Sequence, residues 1–166
     1  MQNMRFGLIC CVHANLPALE AVLKDAQRQN CETLVCLGDI VGYYDNPKEC
    51  LDLVRSRCQV CVKGNHDEYA STTHPLEGFN PRAAAAIEWT RGQLSPMDRT
   101  WLRGLPFSKD FEDFTIVHAS LECPERWQYV FDKLAAAQHF SYQGSLMSRV
   151  EGLTLLSIGG AAMMFG

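Results

Sequence analysis

The sequence predicts an α/β fold, a parallel sheet covered by helices. Short apolar runs at residues 5–12, 33–37 and 59–62 alternate with stretches of helical periodicity, and the connections between them are short. Two small polar runs, Gly38-Asp39 and Gly64-Asn65-His66-Asp67, directly follow apolar runs. Polar, metal-competent residues at strand ends lie where open α/β sheets carry their ligand sites.

Arg5 to Val12 reads as a buried first strand. Leu16 to Gln29 follows as a helix, with Pro17 in its first turn and Leu19, Val22, Leu23 and Ala26 at helical spacing. Thr33 to Leu37 is a second strand, closed by Gly38-Asp39. A loop through Gly42-Tyr43-Tyr44-Asp45-Asn46 leads to a helix from Pro47 to Arg57, with Cys50, Leu51 and Val54 on one face. Gln59 to Val62 is the third strand. Pro81–Leu94 and Pro96–Gly104 read as two helices, and Phe107–Phe111 with Phe114–His118 as an antiparallel pair turning at Glu112-Asp113. A helix is expected from about Glu125 to Phe140, and a last strand from about Leu153 to Ile158. No long linker, internal repeat or low-complexity tract interrupts the 166 residues, so one domain over 1–166 is expected.

An apolar fraction of 47% with 20% charged residues suits a globular chain with a real core. The net charge of −4 provides no basic field for extended nucleic-acid binding. No run approaches the roughly 18 to 20 apolar residues that span a bilayer, and the apolar run behind the N-terminus is too short for a signal peptide. The expectation is a cytoplasmic protein without membrane partners, its eight cysteines reduced and mostly inside apolar stretches.

His13 follows the first strand, Asp39 the second, Asn65-His66-Asp67 the third, and His118 a later one. Hydrolysis of a phosphate ester suits such a set: carboxylate, imidazole and amide ligands hold divalent ions that activate water and clamp phosphoryl oxygens. A further imidazole can then donate a proton to the leaving group.

The runs Cys11-Val12-His13-Ala14-Asn15, Gly38-Asp39-Ile40-Val41-Gly42-Tyr43, Gly64-Asn65-His66-Asp67 and Val117-His118-Ala119-Ser120 resemble the successive motifs of the calcineurin-like metallophosphoesterases. The stretch from His13 to Val22 is similar to the bacterial branch of predicted phosphodiesterases and diadenosine-tetraphosphatase-like proteins. The resemblance covers roughly residues 5–140 and leaves 141–166 as a divergent tail. It implies two mixed sheets face to face, flanked by helices. It implies that Asp39 bridges two metal ions, that His13 binds the first, and that Asn65 and His118 bind the second. His66 would face the substrate, polarising the phosphoryl group or protonating the leaving oxygen, with Asp67 orienting it. The implied cofactor is one or two divalent ions, manganese first with iron, zinc or nickel as alternatives, and the implied nucleophile a metal-bound hydroxide. The implied substrate is a small phosphate mono- or diester, nucleotides included.

Two departures accompany the resemblance. Cys11 stands where the family motif Asp-x-His has its carboxylate, and a thiolate is a softer ligand. No histidine follows His139, so the family's closing Gly-His-x-His run is absent and its C-terminal part is expected to be incomplete. The first metal position is therefore expected to be weakened. The alternative function is a catalytically impaired relative that binds phosphate, a nucleotide or a protein. A third feature, Cys58-Gln59-Val60-Cys61, has redox or half-zinc-site spacing, but strand alternation predicts its two thiols on opposite faces.

Overall fold

The computed structural model of the chain describes residues 5–111, 114–129, 132–135, 137 and 156–157. Its first half is a β-α-β-α-β unit. Strands β1 (Phe6–Ile9), β2 (Thr33–Cys36) and β3 (Val60–Cys61) form a parallel sheet in that order, with Ile9 opposite Cys36 and Cys36 opposite Cys61. Helices α1 (Leu16–Arg28) and α2 (Pro47–Arg57) make the crossovers. Each carries proline at its start, where the missing N–H would have no helical partner in any case. Asn15 caps α1 by accepting from Ala18 N at 3.2 Å.

Strand alternation gives the sheet two different faces. Ile9, Leu34 and Cys36 point toward the helices and join Leu19 and Leu23 of α1 and Leu51 and Val54 of α2. The same core takes in Ile87 of α4 (Pro81–Gln93) and Leu102 of α5 (Pro96–Arg103). Phe6, Leu8, Val35, Leu37, Val60 and Val62 face the other way, against Ile116, Phe111 and Phe114. Ile116 belongs to a second sheet of β4 (Ser108–Asp110), β5 (Thr115–Val117) and β6 (Leu156–Ser157), with β5 central, antiparallel to β4 and parallel to β6. Two sheets thus meet face to face across an apolar interior, as the resemblance implied, though only the second is mixed and the first is wholly parallel. Phe6 seals one end of it, edge-on to Phe111 and Phe114 at 5.6 and 5.2 Å between ring centroids. Among the described residues, no helix is long and apolar enough to cross a membrane.

Three expectations are corrected. Residues 65–71, read as a motif with no helix, form α3 (Asn65–Ser71), capped at Gly64. The helix expected from Glu125 begins instead as a single 3-10 turn, Pro124–Arg126. Trp127 ends that turn in the left-handed region at φ 53°, and among the described residues helical backbone is next found at 133–135 and 137. The last part of that expected helix, 138–140, lies outside the described residues, as does the turn at 112–113. Finally, Cys58 and Cys61 share a face. Cys58 is the C-terminal cap of α2 rather than a strand residue, so alternation along the two-residue β3 does not reach it. Both pack on the helix-side core beside Cys36, and contact between the Cys58 and Cys61 thiols, together with burial, holds the Cys58 thiol protonated.

Candidate metal centre

The strand ends of β1 and β2 run on as two loops tied backbone to backbone. Cys11 N donates to Gly38 O at 3.2 Å, His13 N to Asp39 O at 2.8 Å and Ala14 N to Ile40 O at 2.9 Å. Cys11, His13, Ala14, Asp39 and Tyr43 all adopt positive φ, from 49° to 63°. Non-glycine residues hold that conformation only where their surroundings fix it, and such strain gathers at functional sites.

The third loop enters at Gly64. A Cβ there would lie 2.2 Å from both Asp39 N and Asp39 Oδ1, so glycine alone lets the α3 N-terminus approach that carboxylate. His66 N then donates to Asp39 Oδ1 at 2.9 Å. Asp67, fully buried, accepts from Ile40 N at 2.8 Å, Val41 N at 3.2 Å and Gly64 N at 3.0 Å.

The other Asp39 oxygen, Oδ2, lies between two imidazoles: His13 Nε2 at 3.5 Å and His118 Nε2 at 3.4 Å. The opposite ring nitrogens face backbone carbonyls, His118 Nδ1 at 2.7 Å from Leu37 O and His13 Nδ1 at 3.4 Å from Val41 O. A carbonyl only accepts, so Nδ1 carries the proton and Nε2 of each neutral ring presents a lone pair to Asp39. Lone pairs converging on a carboxylate call for a positive charge among them. The spacing is long for a hydrogen bond and close to the ~3.4 Å between nitrogen and oxygen ligands of one tetrahedral ion. Cys11 completes a group of three: its Sγ, a His13 ring nitrogen and an Asp39 carboxylate oxygen all lie within 4.8 Å of one another. The residues present fit a divalent metal ion.

Without an ion, protons fill this role. Burial opposes a charged His118, but the Asp39 carboxylate facing it outweighs that and raises the imidazole to about 9. Burial also works to raise Asp39, and His118, His66 and His13 together hold it below the usual carboxylate range. Asp67 is raised to about 7, by burial first and the neighbouring Asp39 charge second. Burial lowers His66 to about 4, leaving a neutral ring.

His66 itself is 4% exposed. Its ring lies 4.6 Å from that of Tyr43 and 4.7 Å from that of His13, and its Nδ1 is buried with no hydrogen-bond partner among the described residues. A Cβ on Gly42, at φ 94°, would meet that Nδ1 at 2.3 Å. The expectation that Asp67 orients this imidazole is revised. All three Asp67 hydrogen bonds go to backbone N–H groups, so Asp67 positions the loops rather than the ring. Asn65 occupies the first position of α3, also buried. The structure therefore brings His13, Asp39, His66 and His118 together, with Asn65 and Asp67 on the helical turn that abuts them.

Aromatic rings border this group. Tyr43 touches the His13 and His66 rings, and the Trp127 ring lies 6.2 Å from that of His118. Tyr44 borders a cavity of about 330 Å³ beside Cys11, His13 and Asn15. Tyr129 was missed: it is half exposed, and the Asp39, Tyr43 and Cys11 charges add to burial in raising its phenol. It follows a 3-10 turn in a stretch read as continuous helix, which hid its position.

A family model for calcineurin-like phosphoesterases matches residues 4–144. The chain belongs to that family, a class of divalent-metal-dependent phosphoester hydrolases. It is 36% identical over 135 residues to an uncharacterized protein of Methanocaldococcus jannaschii, an alignment covering 79% of this chain and 56% of that protein. The crystal structure of a metallophosphoesterase from Sphaerobacter thermophilus is 42% identical and superposes with a TM-score of 0.71, over 83% of this chain and 56% of that one. A hypothetical protein from Pyrococcus horikoshii shares the fold at 20% identity, with a TM-score of 0.69 over 90% and 68% of the two chains. The chain thus spans 56% of the length of the first two of these relatives.

Proposed function

We propose that this chain carries the metal centre of a phosphoesterase acting on small phosphate mono- or diesters, nucleotides among them. The observation that carries the reading is Asp39 Oδ2, set between His13 Nε2 and His118 Nε2 at 3.5 and 3.4 Å. In this reading Asp39 is shared between two metal positions, His13 serves the first, and His118 with Asn65 serves the second. When bound, divalent ions supply Lewis-acid stabilisation of phosphoryl oxygens and activation of water at neutral pH, with manganese the first candidate.

The chain's own residues do the rest. The carbonyls of Leu37 and Val41 keep the Nδ1 protons of His118 and His13 in place, which aims both Nε2 atoms at the centre. Asp67 holds the Gly38–Val41 loop against Gly64, so the Asp39 carboxylate keeps its position as charge develops. His66, neutral because buried, keeps one ring N–H with which it donates a hydrogen bond to a phosphoryl or leaving-group oxygen and so stabilises the charge that develops there. Tyr43, lying against His66 and itself 47% exposed, separates that ring from bulk water and forms the rim a substrate must pass.

The test is hydrolysis of an aryl phosphate monoester and diester by the reduced full chain, with manganese, zinc, nickel or iron added. Metal-stimulated turnover is expected, and His66→Ala should lower it by roughly 10²- to 10⁴-fold. Absence of turnover with all four metals on both substrates would sink the proposal.

A further inference from the structure

We propose that Cys11 is itself a ligand of the metal position it shares with His13 and Asp39, and that its sulfur tunes this position toward zinc or cobalt and away from manganese. This rests on the metal-centre reading above, adds a ligand to it and, at this one position, replaces manganese as the first candidate.

The geometry comes first. Cys11 Sγ lies within 4.8 Å of both the His13 ring nitrogen and the Asp39 carboxylate oxygen. Sulfur and nitrogen ligands on one tetrahedral zinc ion stand about 3.6 Å apart, given Zn–S near 2.3 Å and Zn–N near 2.0 Å, so small side-chain rotations bring the three atoms onto one ion. The backbone keeps them in register, because Cys11 N is bonded to Gly38 O and His13 N to Asp39 O. Cys11, His13 and Asp39, the three residues that offer donor atoms, all lie in the left-handed region, at φ 55°, 49° and 55°.

The surroundings of the sulfur are those of a ligand as well. Cys11 is exposed, whereas every other cysteine is buried or half-buried. The Cys10 sulfur lies 3.1 Å away, so a Cys10 S–H can support the Cys11 sulfur from behind, as outer partners of metal ligands do. On binding, the Cys11 proton passes to solvent and its sulfur lone pair goes to the ion. Thiolates favour zinc and cobalt, while oxygen-only sets suit manganese. A carboxylate at residue 11 would make the position hard; the thiol makes it soft.

Cobalt titration of the reduced, chelator-treated full chain, followed by absorption, tests this. Thiolate-to-cobalt charge-transfer absorption in the near ultraviolet is expected beside the visible d–d bands. Cys11→Ser should keep the d–d bands and lose the charge transfer. Cys11→Asp provides a second variant that fits the backbone, since aspartate tolerates positive φ. It should lower the zinc-over-manganese preference, measured by competition with a chromophoric chelator, by about tenfold or more. Visible bands without charge transfer in the wild-type chain, or charge transfer that survives both substitutions, would overturn the role of Cys11 and leave the metal centre standing. No cobalt binding by either readout would overturn the metal centre with it.

Discussion

Asp39 and Asp67 each hold the loop that carries the other. Asp39 Oδ1 accepts the N–H of His66 at 2.9 Å, one residue before Asp67, while Asp67 Oδ1 accepts the N–H of Ile40 at 2.8 Å, one residue after Asp39. The exchange fastens the β2 loop to the first turn of α3. It leaves Asp39 Oδ2 turned to the imidazoles and commits Asp67 wholly to backbone. One carboxylate is spared for chemistry because the other is used for positioning.

Asp67→Asn should show this division. Only one oxygen remains to accept, and the new NH₂ must face either Gly64 N–H or the Ile40 and Val41 N–H groups, leaving buried donors unpaired. A loss of about 1–3 kcal/mol is expected in denaturant unfolding of the metal-free chain. Metal affinity should fall roughly 10- to 100-fold, as for other outer partners of a ligand set. If unfolding and metal affinity both match the wild type, Asp67 is not the clasp described.

Gly42→Ala addresses the His66 ring. The new methyl would sit 2.3 Å from His66 Nδ1 on a backbone at φ 94°, so the imidazole must move or the loop must open. Displacement of about 1 Å at a reacting group costs on the order of 10²-fold in rate. Aryl phosphate turnover should fall by that much while metal affinity changes little, since the three atoms nearest that methyl all belong to His66. Turnover near the wild-type rate would show that the His66 orientation seen here is not the one that matters.

Much of this arrangement was legible in the sequence, because the signals were local. Helices α1, α2, α4 and α5 begin at Pro or one residue before it, with Asn15, Asn46, Asn80 and Ser95 as caps, so composition alone bounded them. Strand ends with metal-competent residues located His13, Asp39, His66 and His118 in one region. Helix α3 escaped because its seven residues, Asn-His-Asp-Glu-Tyr-Ala-Ser, lack apolar periodicity and are held by capping and by Asp67 rather than by a greasy stripe. The task of Asp67 escaped for a different reason. Its Ile40 and Val41 partners are backbone N–H groups 27 and 26 residues away, and backbone donors carry no residue signature. The pairing of Cys58 with Cys61 depended on where a helix ends, the least legible feature of any sequence.

The metal-free chain should lose stability above neutral pH through His118. Burial acts to lower this imidazole, and the facing Asp39 carboxylate raises it to about 9, against about 6.5 unfolded. A raised histidine contributes stability fully present below about 6.5 and lost as pH rises through about 9, a contribution on the order of 3 kcal/mol. The raised Asp67 carboxyl acts lower, its effect falling between about 4 and 7. Buried thiols such as Cys50, pushed up to about 12 by burial, add a loss above about 8.5 that has nothing to do with the site. The informative measurement is therefore the difference in Tm between wild type and His118→Gln, in chelator, from pH 7 to 10. That gap should close as pH rises. A gap constant across the range would mean that His118 and Asp39 do not form this pair.

The two-sheet packing makes the last prediction. Ile116 is fully buried between the sheets, on the same side of the β5 segment as His118 two residues on, and it faces Val35, Leu37 and Val62 across the interior. Ile116→Ala leaves a cavity that both layers must close around, and about 2–5 kcal/mol of destabilisation is expected, against about 0.5–1.5 kcal/mol for Ile116→Val. Lys109→Ala, on exposed β4 of the same sheet, should fall within about 0.5 kcal/mol of wild type. Because His118 leaves the strand one residue past Val117, loosening this interface should also weaken metal binding in the alanine variant and spare it in the valine variant. Chemical unfolding and chelator competition on the three variants check both parts. An Ile116→Ala chain as stable as Lys109→Ala would mean that the second sheet does not close over the first at this point.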